Sequence, residues 1–158
     1  MRIGQGYDVH PFEASRPLVL GGVPFEGETG LAGHSDADVL CHAIADALLG
    51  AAALGDIGSH FPSGDDRWRN ADSIEILKSV GKMVLAARYR VANIDATVVC
   101  ERPKVAPRVQ EMRARIAVAL GIEAGQVSVK ATTTDGLGAL GRGEGIAAMA
   151  IALLQEAG

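Results

Sequence analysis

The spacing of apolar and polar positions changes period several times along the chain, and each change predicts an element. Over 36–53, Val39, Leu40, Ile44, Ala47 and Leu48 recur at three- and four-residue intervals, the signature of a helix face. Ser35 can cap this helix, and Asp36 and Asp38 suit the positive end of its dipole. Residues 72–87 repeat the pattern, with Asp72 or Ser73 as cap and Ile76, Leu77, Val80 and Val84 as the buried stripe. Val109, Met112, Ile116, Val118 and Leu120 predict a third helix closed by Gly121. Alternation takes over at 91–101, where Ile94, Ala96 and Val98 face away from Asp95 and Thr97, and 127–134 has the same strand character. Residues 2–10 and 17–25 read as two short strands, broken by Pro11, Pro17 and the Gly21-Gly22 pair. The apolar run 146–154 reads as either a helix or a buried strand. Residues 55–70, polar and turn-rich, are too long for a plain connector and predict a functional loop.

These elements predict one α+β domain over 1–158, built on a mixed four-stranded sheet with helices on one face. With 48 % hydrophobic and only 4 % aromatic residues, the second face is expected to be buried against further copies of the chain. Fifteen basic against nineteen acidic side chains give no strong field of either sign, which argues against nucleic acid as a partner. The pairs Arg67, Arg69 and Arg88, Arg90 read as solvated surface. Cys41 and Cys100 lie in apolar stretches without disulfide or metal spacing, so a reduced, cytoplasmic protein is expected. The start MRIGQGYDVH has no apolar core of a signal peptide, and the longest apolar runs fall short of the roughly 20 residues that cross a bilayer. No membrane partner is expected.

Asp8 and His10, two apart in a strand, leave the same face and can reach one metal ion. His42 shares a helix face with Asp38 and Asp46, which are candidate partners for its imidazole. Two histidines and a carboxylate leave a tetrahedral zinc with an open position, as catalysis requires; His42 also reads as a histidine satisfied by Asp46 on a polar helix face. His34 and Ser35, at the start of that helix, can meet an anion, while capping accounts for Ser35 alone. His60 reads as solvated surface and Lys104 as a surface lysine. Residues 136–141 match the dinucleotide pattern G-x-G-x-x-G, but too little chain follows for that fold. What remains is a glycine-rich loop that, with Thr132, Thr133, Thr134 and Arg142, can hold phosphate oxygens.

Four strings, IGQGYDVHPF at 3–12, GHSDADVLCHAIADALLGAAALGDIGSHFP at 33–62, RPKVAP at 102–107 and KATTTDGLGALGRGEGI at 130–146, together resemble the 2-C-methyl-D-erythritol 2,4-cyclodiphosphate synthases over nearly the whole chain. The resemblance implies a homotrimer with active sites at subunit interfaces. It also implies intramolecular phosphoryl transfer on 4-diphosphocytidyl-2-C-methyl-D-erythritol 2-phosphate, with release of CMP, in the non-mevalonate isoprenoid pathway. By the same resemblance Asp8, His10 and His42 are zinc ligands, and His34 and Thr133 stabilise the transition state. Asp8, Val9 and His10 then contact the substrate, and His34 and Ser35 hold its methylerythritol phosphate end. Asp56, Ile57 and Gly58 meet the ribose and erythritol, and Phe61, Pro62, Ser63, Gly64 and Asp65 close over them. Cys100, Glu101, Arg102, Pro103, Lys104, Val105 and Ala106, with Thr132, Thr133, Thr134 and Arg142, form the nucleotide and phosphate side. Magnesium or manganese is carried by the diphosphate with support from Asp135. The chain departs from the family at Ser63, where Asp is usual, at Asp135, where Glu is usual, and at Ala139, where Phe is common. The competing readings are a non-catalytic trimeric binding module and a zinc phosphohydrolase with His34 as base.

Overall fold

The computed structural model describes residues 1–158. In chain order its elements are β1 (Arg2–Leu20), β2 (Val23–Leu31), α1 (Val39–Ala52), α2 (Ile57–His60), α3 (Ser73–Ala86), β3 (Tyr89–Val99), α4 (Val109–Leu120), β4 (Val127–Thr132), α5 (Gly138–Gly141) and β5 (Gly145–Glu156). The three long helices lie within a residue or two of where their apolar periodicity puts them, except at the start of α1. That helix begins at Val39, because Ala37 takes a left-handed conformation with φ 57°, and its cap is Asp38 rather than Ser35. Asp38 is fully buried and also accepts the amides of Gly21 and Gly22, at 2.9 and 2.7 Å. One carboxylate thus ties the β1–β2 turn to the helix N-terminus. Burial and the charge of Asp36 raise its pKa against these backbone donors.

The sheet has five strands, in the order β2-β1-β5-β3-β4, which corrects the expectation of four. The fifth strand comes from the ambiguous run, and the bounds of the first two also differ from expectation. The ambiguous run 146–154 is the central strand β5, antiparallel to both β1 and β3. The expected strands 2–10 and 17–25 are instead one 19-residue strand and the start of the next, with Gly21 and Gly22, both at positive φ, forming the hairpin turn. Prolines 11 and 17 do not break β1. Pro11 lies where the strand exchanges β5 for β2 as its partner, and Pro17 lies at a register shift, so neither missing N–H interrupts a regular ladder. Only β3 and β4 run parallel, joined through α4.

The helix-covered face buries Ile146, Ala148, Ala150, Ala152 and Leu154 of β5. Small residues let α1 approach unusually closely: a Cβ on Gly4 would lie 2.1 Å from the Ala47 carbonyl oxygen, and one on Gly6 only 1.9 Å from that of Ala43. The other face of the sheet is open. Ile3, Tyr7, Val9, Met149 and Ile151 stand 41–70 % exposed on it, and Tyr7 and Met149 are direct cross-strand neighbours. No helix is long and apolar enough to cross a membrane.

Candidate functional site

The close seat of α1 on β1 brings His42 beside Asp8 and His10. Asp8 Oδ2 lies 3.0 Å from His42 Nδ1 and 2.9 Å from His10 Nε2. The three donor atoms all fall within 4.8 Å of one another, half-buried. The His10 contact lacks hydrogen-bond alignment, so His10 Nε2 is left buried without a partner. An unpaired buried nitrogen costs free energy that a cation between the three side chains would recover. One carboxylate and two imidazoles are a donor set suited to a divalent metal, so the residues present fit one. Burial works to raise the Asp8 pKa, but the close imidazoles of His10 and His42, the latter hydrogen-bonded to it, outweigh burial and hold the carboxyl well below the ordinary range. Burial lowers the His42 pKa, yet Asp8, followed by the charges of Asp38 and Asp36, lifts it above the usual value.

Asp38 and Asp46 do not serve as the partners of His42. Asp38 is committed to the hairpin turn, and Asp46 accepts the Ile57 amide at 2.7 Å, holding the start of α2. The far side of the imidazole instead meets two serines: Ser35 Oγ and Ser73 Oγ each lie 3.0 Å from His42 Nε2.

A cleft of about 240 Å³ collects Asp8, His10, His34, Ser35 and His42 together with Ile57, Gly58, Phe61 and Ser63. The loop 55–70 therefore builds one wall, as its length and polarity suggest. Arg16 of β1 donates to the carbonyls of Gly33 and Ser35, fixing the entry to α1. His34 Nε2 lies 3.0 Å from the Asp65 carbonyl oxygen, so the loop rests against it. Asp56 caps α2 and accepts from both the amide and the hydroxyl of Ser59 at 2.8 Å. The Asp65 carboxylate turns to Arg67, which keeps its pKa below the usual range, while Pro62 and Gly64 stay exposed. Val9 points its side chain to the open sheet face and gives its amide to Asp8 Oδ1 at 2.9 Å. His60, expected on the surface, is half-buried and lies 2.8 Å from the Leu54 carbonyl. Sequence reasoning missed Trp68 and Ile76 in the cleft lining. Trp68 packs edge-on against Phe61 with centroids 4.8 Å apart. Its signal was that a lone tryptophan sits in an otherwise polar loop.

The remaining predicted residues form a second group, following β3 and β4. Glu101 Oε1 gathers it, accepting the Thr134 amide at 3.1 Å and the Gly136 amide at 3.3 Å. The Asp135 amide donates to Thr133 Oγ1 at 3.1 Å, and Arg142 pairs with Glu144 at 2.6 Å. Arg102, Lys104, Ala106, Thr132, Thr133, Asp135 and Arg142 are exposed, whereas Cys100, Pro103 and Val105 are buried. The register row Val9, Ala147, Val99, Thr132 crosses from β1 to β4 in three strand steps of roughly 4.8 Å, so the groups stand on the order of 15 Å apart. His34 and Thr133 accordingly belong to different groups within one chain.

The YgbB family model matches residues 1–155. The chain belongs to that family. The protein of Moorella thermoacetica called 2-C-methyl-D-erythritol 2,4-cyclodiphosphate synthase is 61 % identical over 160 residues, covering 100 % of this chain and 98 % of its own length. A protein of the same name from Salinibacter ruber is 59 % identical over 157 residues, covering 99 % and 100 %. Among solved structures, the bifunctional IspDF of Campylobacter jejuni superposes with a TM-score of 0.95 at 42 % identity, across 98 % of this chain and 42 % of that longer one. Plasmodium falciparum IspF, solved as a CDP complex, gives 0.88 at 32 % identity, with 99 % and 97 % covered. The family is thus the one the four sequence motifs resemble.

Proposed function

We propose that this YgbB-family protein converts 4-diphosphocytidyl-2-C-methyl-D-erythritol 2-phosphate to 2-C-methyl-D-erythritol 2,4-cyclodiphosphate and CMP. The observation that carries the reading is the convergence of Asp8, His10 and His42 around an unpaired buried nitrogen, in a cleft shared with His34 and Ser35. The 61 % identical Moorella relative bearing that enzyme's name supports it, as does the CDP bound by the Plasmodium neighbour. Zinc held by Asp8, His10 and His42, with magnesium or manganese on the diphosphate beside Asp135, supplies charge neutralisation and a template when bound.

The residues of the chain do the rest. His34 and Ser35 receive the 2-phosphate, and Asp56, Ile57 and Gly58 orient the sugar carbons between them and the ligand set. The Phe61–Trp68 pair and the loop 61–65 exclude water, so the phosphate oxygen attacks the β-phosphorus and CMP leaves without hydrolysis, which is lyase chemistry. No protein nucleophile is required. Residues 100–106 and Thr132, Thr133 and Thr134, with Arg142, hold the cytidylyl side, and Thr133 with His34 stabilises charge in transit.

A homotrimer completes this site. The open apolar face supports association, because large side chains rarely stay so exposed in one patch. The separation of the two residue groups supports a site that takes one group from each of two copies. The two buried free cysteines accord with a cytoplasmic protein.

The test is ³¹P NMR of the protein with the cytidylyl substrate, zinc and magnesium, beside a His42→Ala control. CMP and a cyclic diphosphate should appear with the wild type alone. Linear phosphate products would establish a hydrolase instead, and an absence of turnover in both would leave a binding module.

A further inference from the structure

Behind His42 the structure holds two polar residues, Ser73 and Asp36, that the proposed chemistry does not touch. Ser73, the first residue of α3, is 1 % exposed. Its amide donates to Asp36 Oδ2 at 3.0 Å, and its hydroxyl donates to Asp36 Oδ1. Asp36 also accepts the Asp38 amide at 3.1 Å, so three donors point at one carboxylate. A serine hydroxyl has a single proton, and a carboxylate can only accept. With its proton given to Asp36, Ser73 Oγ faces His42 Nε2, 3.0 Å away, with lone pairs only. Ser35 Oγ already accepts the Ala37 amide at 3.2 Å and has Ser73 Oγ at 3.4 Å to receive its own proton. Both serines are thereby arranged as acceptors toward Nε2.

We propose that Asp36 and Ser73 are positioning residues of the metal centre: through Ser73, Asp36 keeps the His42 proton on Nε2 and presents Nδ1 bare beside Asp8 and His10. The nitrogen that ligates a metal must carry no proton, so fixing the proton on the opposite nitrogen favours the binding tautomer and locks the ring plane. The inference rests on reading Asp8, His10 and His42 as a metal site. It adds two residues that lie outside the cleft lining and reach the ligand set through His42.

Zinc affinity, measured by competition with a chromophoric chelator, is the direct test. Ser73→Ala and Asp36→Asn should each weaken zinc binding by about 10- to 100-fold, the range for groups that orient a ligating imidazole. Asp36→Asn should cost no more than Ser73→Ala, because Asn keeps an oxygen at the Oδ1 position, where the Ser73 hydroxyl and the Asp38 amide both donate, and loses only the charge that strengthens that acceptor. Since Asp36 acts through Ser73, the double variant should bind zinc no worse than Ser73→Ala alone. In the zinc-loaded wild type, ¹H–¹⁵N NMR should show a His42 Nε2 proton in slow exchange, and Ser73→Ala should speed its exchange.

Wild-type affinity in both variants, additive losses in the double variant, or a fast-exchanging Nε2 proton in wild type would each overturn the proposal. A merely structural role would lower the urea midpoint and leave zinc affinity of the folded protein unchanged. Should Asp36→Asn not fold, Ser73→Ala and the wild-type spectrum decide. If wild-type protein binds no zinc, or His42→Ala binds it equally well, the metal-site reading itself has failed, and the inference falls with it.

Discussion

The two groups of site residues are built in opposite ways. Around His42 the chain is finished: Gly4 and Gly6 admit α1, Asp46 pins α2, Arg16 pins the loop before α1, and the imidazole is held from both sides. Around Thr133 it is open: Asp135 and Arg142 are exposed, and the polar contacts of this group reach only a few residues along or one strand across. Metal ligation tolerates little displacement, so the half proposed to hold the metal has to be set by backbone packing within one chain. A surface that awaits a second copy can stay unfinished until that copy arrives. On the proposed trimer, the difference separates the half of the site that depends on folding from the half that depends on assembly.

The sharpest way to break this comparison is to keep folding and prevent assembly. Met149→Glu places a charge on the open sheet face, beside Tyr7 and on the side of the sheet opposite Asp8, His10 and His42. The variant should stay folded, lose its oligomeric state in analytical ultracentrifugation, keep zinc binding, and lose nearly all CMP release. A monomer as active as wild type would show that one chain suffices.

The converse experiment damages the finished half. Gly6→Ala drives a Cβ toward the Ala43 carbonyl oxygen, and α1 must lift off β1 to make room. Overpacking of this kind against backbone should cost about 3 kcal/mol or more, read as a fall in the urea midpoint. Zinc affinity should fall with it, because His42 moves with the helix. A variant with normal stability and affinity would mean that the helix seat does not set the ligand geometry.

These contrasts also explain what could be read from the chain. Helical stripes such as Ile76, Leu77, Val80 and Val84 were legible because one face is buried and the other solvated. Strand β5 was not, because its alanines serve close packing under α1, and alanine reads as helix former. Nor was the continuity of β1, since nothing local signals that Pro11 and Pro17 fall where ladder partners change. At the site, Asp8, His10 and His42 could be nominated from spacing within a strand and along a helix. Ser73 could be seen only as a helix cap candidate, because its meeting with His42 depends on the packing of α3 against α1. Asp46 illustrates the reverse error: at helical spacing from His42, it was taken by the Ile57 amide on a neighbouring element.

Cys100 offers the smallest effect and the finest cut, because it belongs by position to the open group but by environment to the interior. Burial, then the nearby charge of Glu101, pushes its thiol up to about 11. A raised thiol pKa disfavours thiolate in the folded state, so below that value the group stays protonated. At pH 8, three units lower, roughly one molecule in a thousand carries the reactive form. Treatment of the native protein with a chromogenic disulfide reagent at pH 8 should therefore leave Cys100 unmodified. Cys41 should also remain unmodified, since burial followed by the charge of Asp38 raises its pKa well above the usual thiol value. Both should react once urea unfolds the chain. Rapid labelling of Cys100 alone in the native state would mean that the segment 100–106 opens as freely as its exposed neighbours, and that the unfinished half of the site extends into the sheet edge.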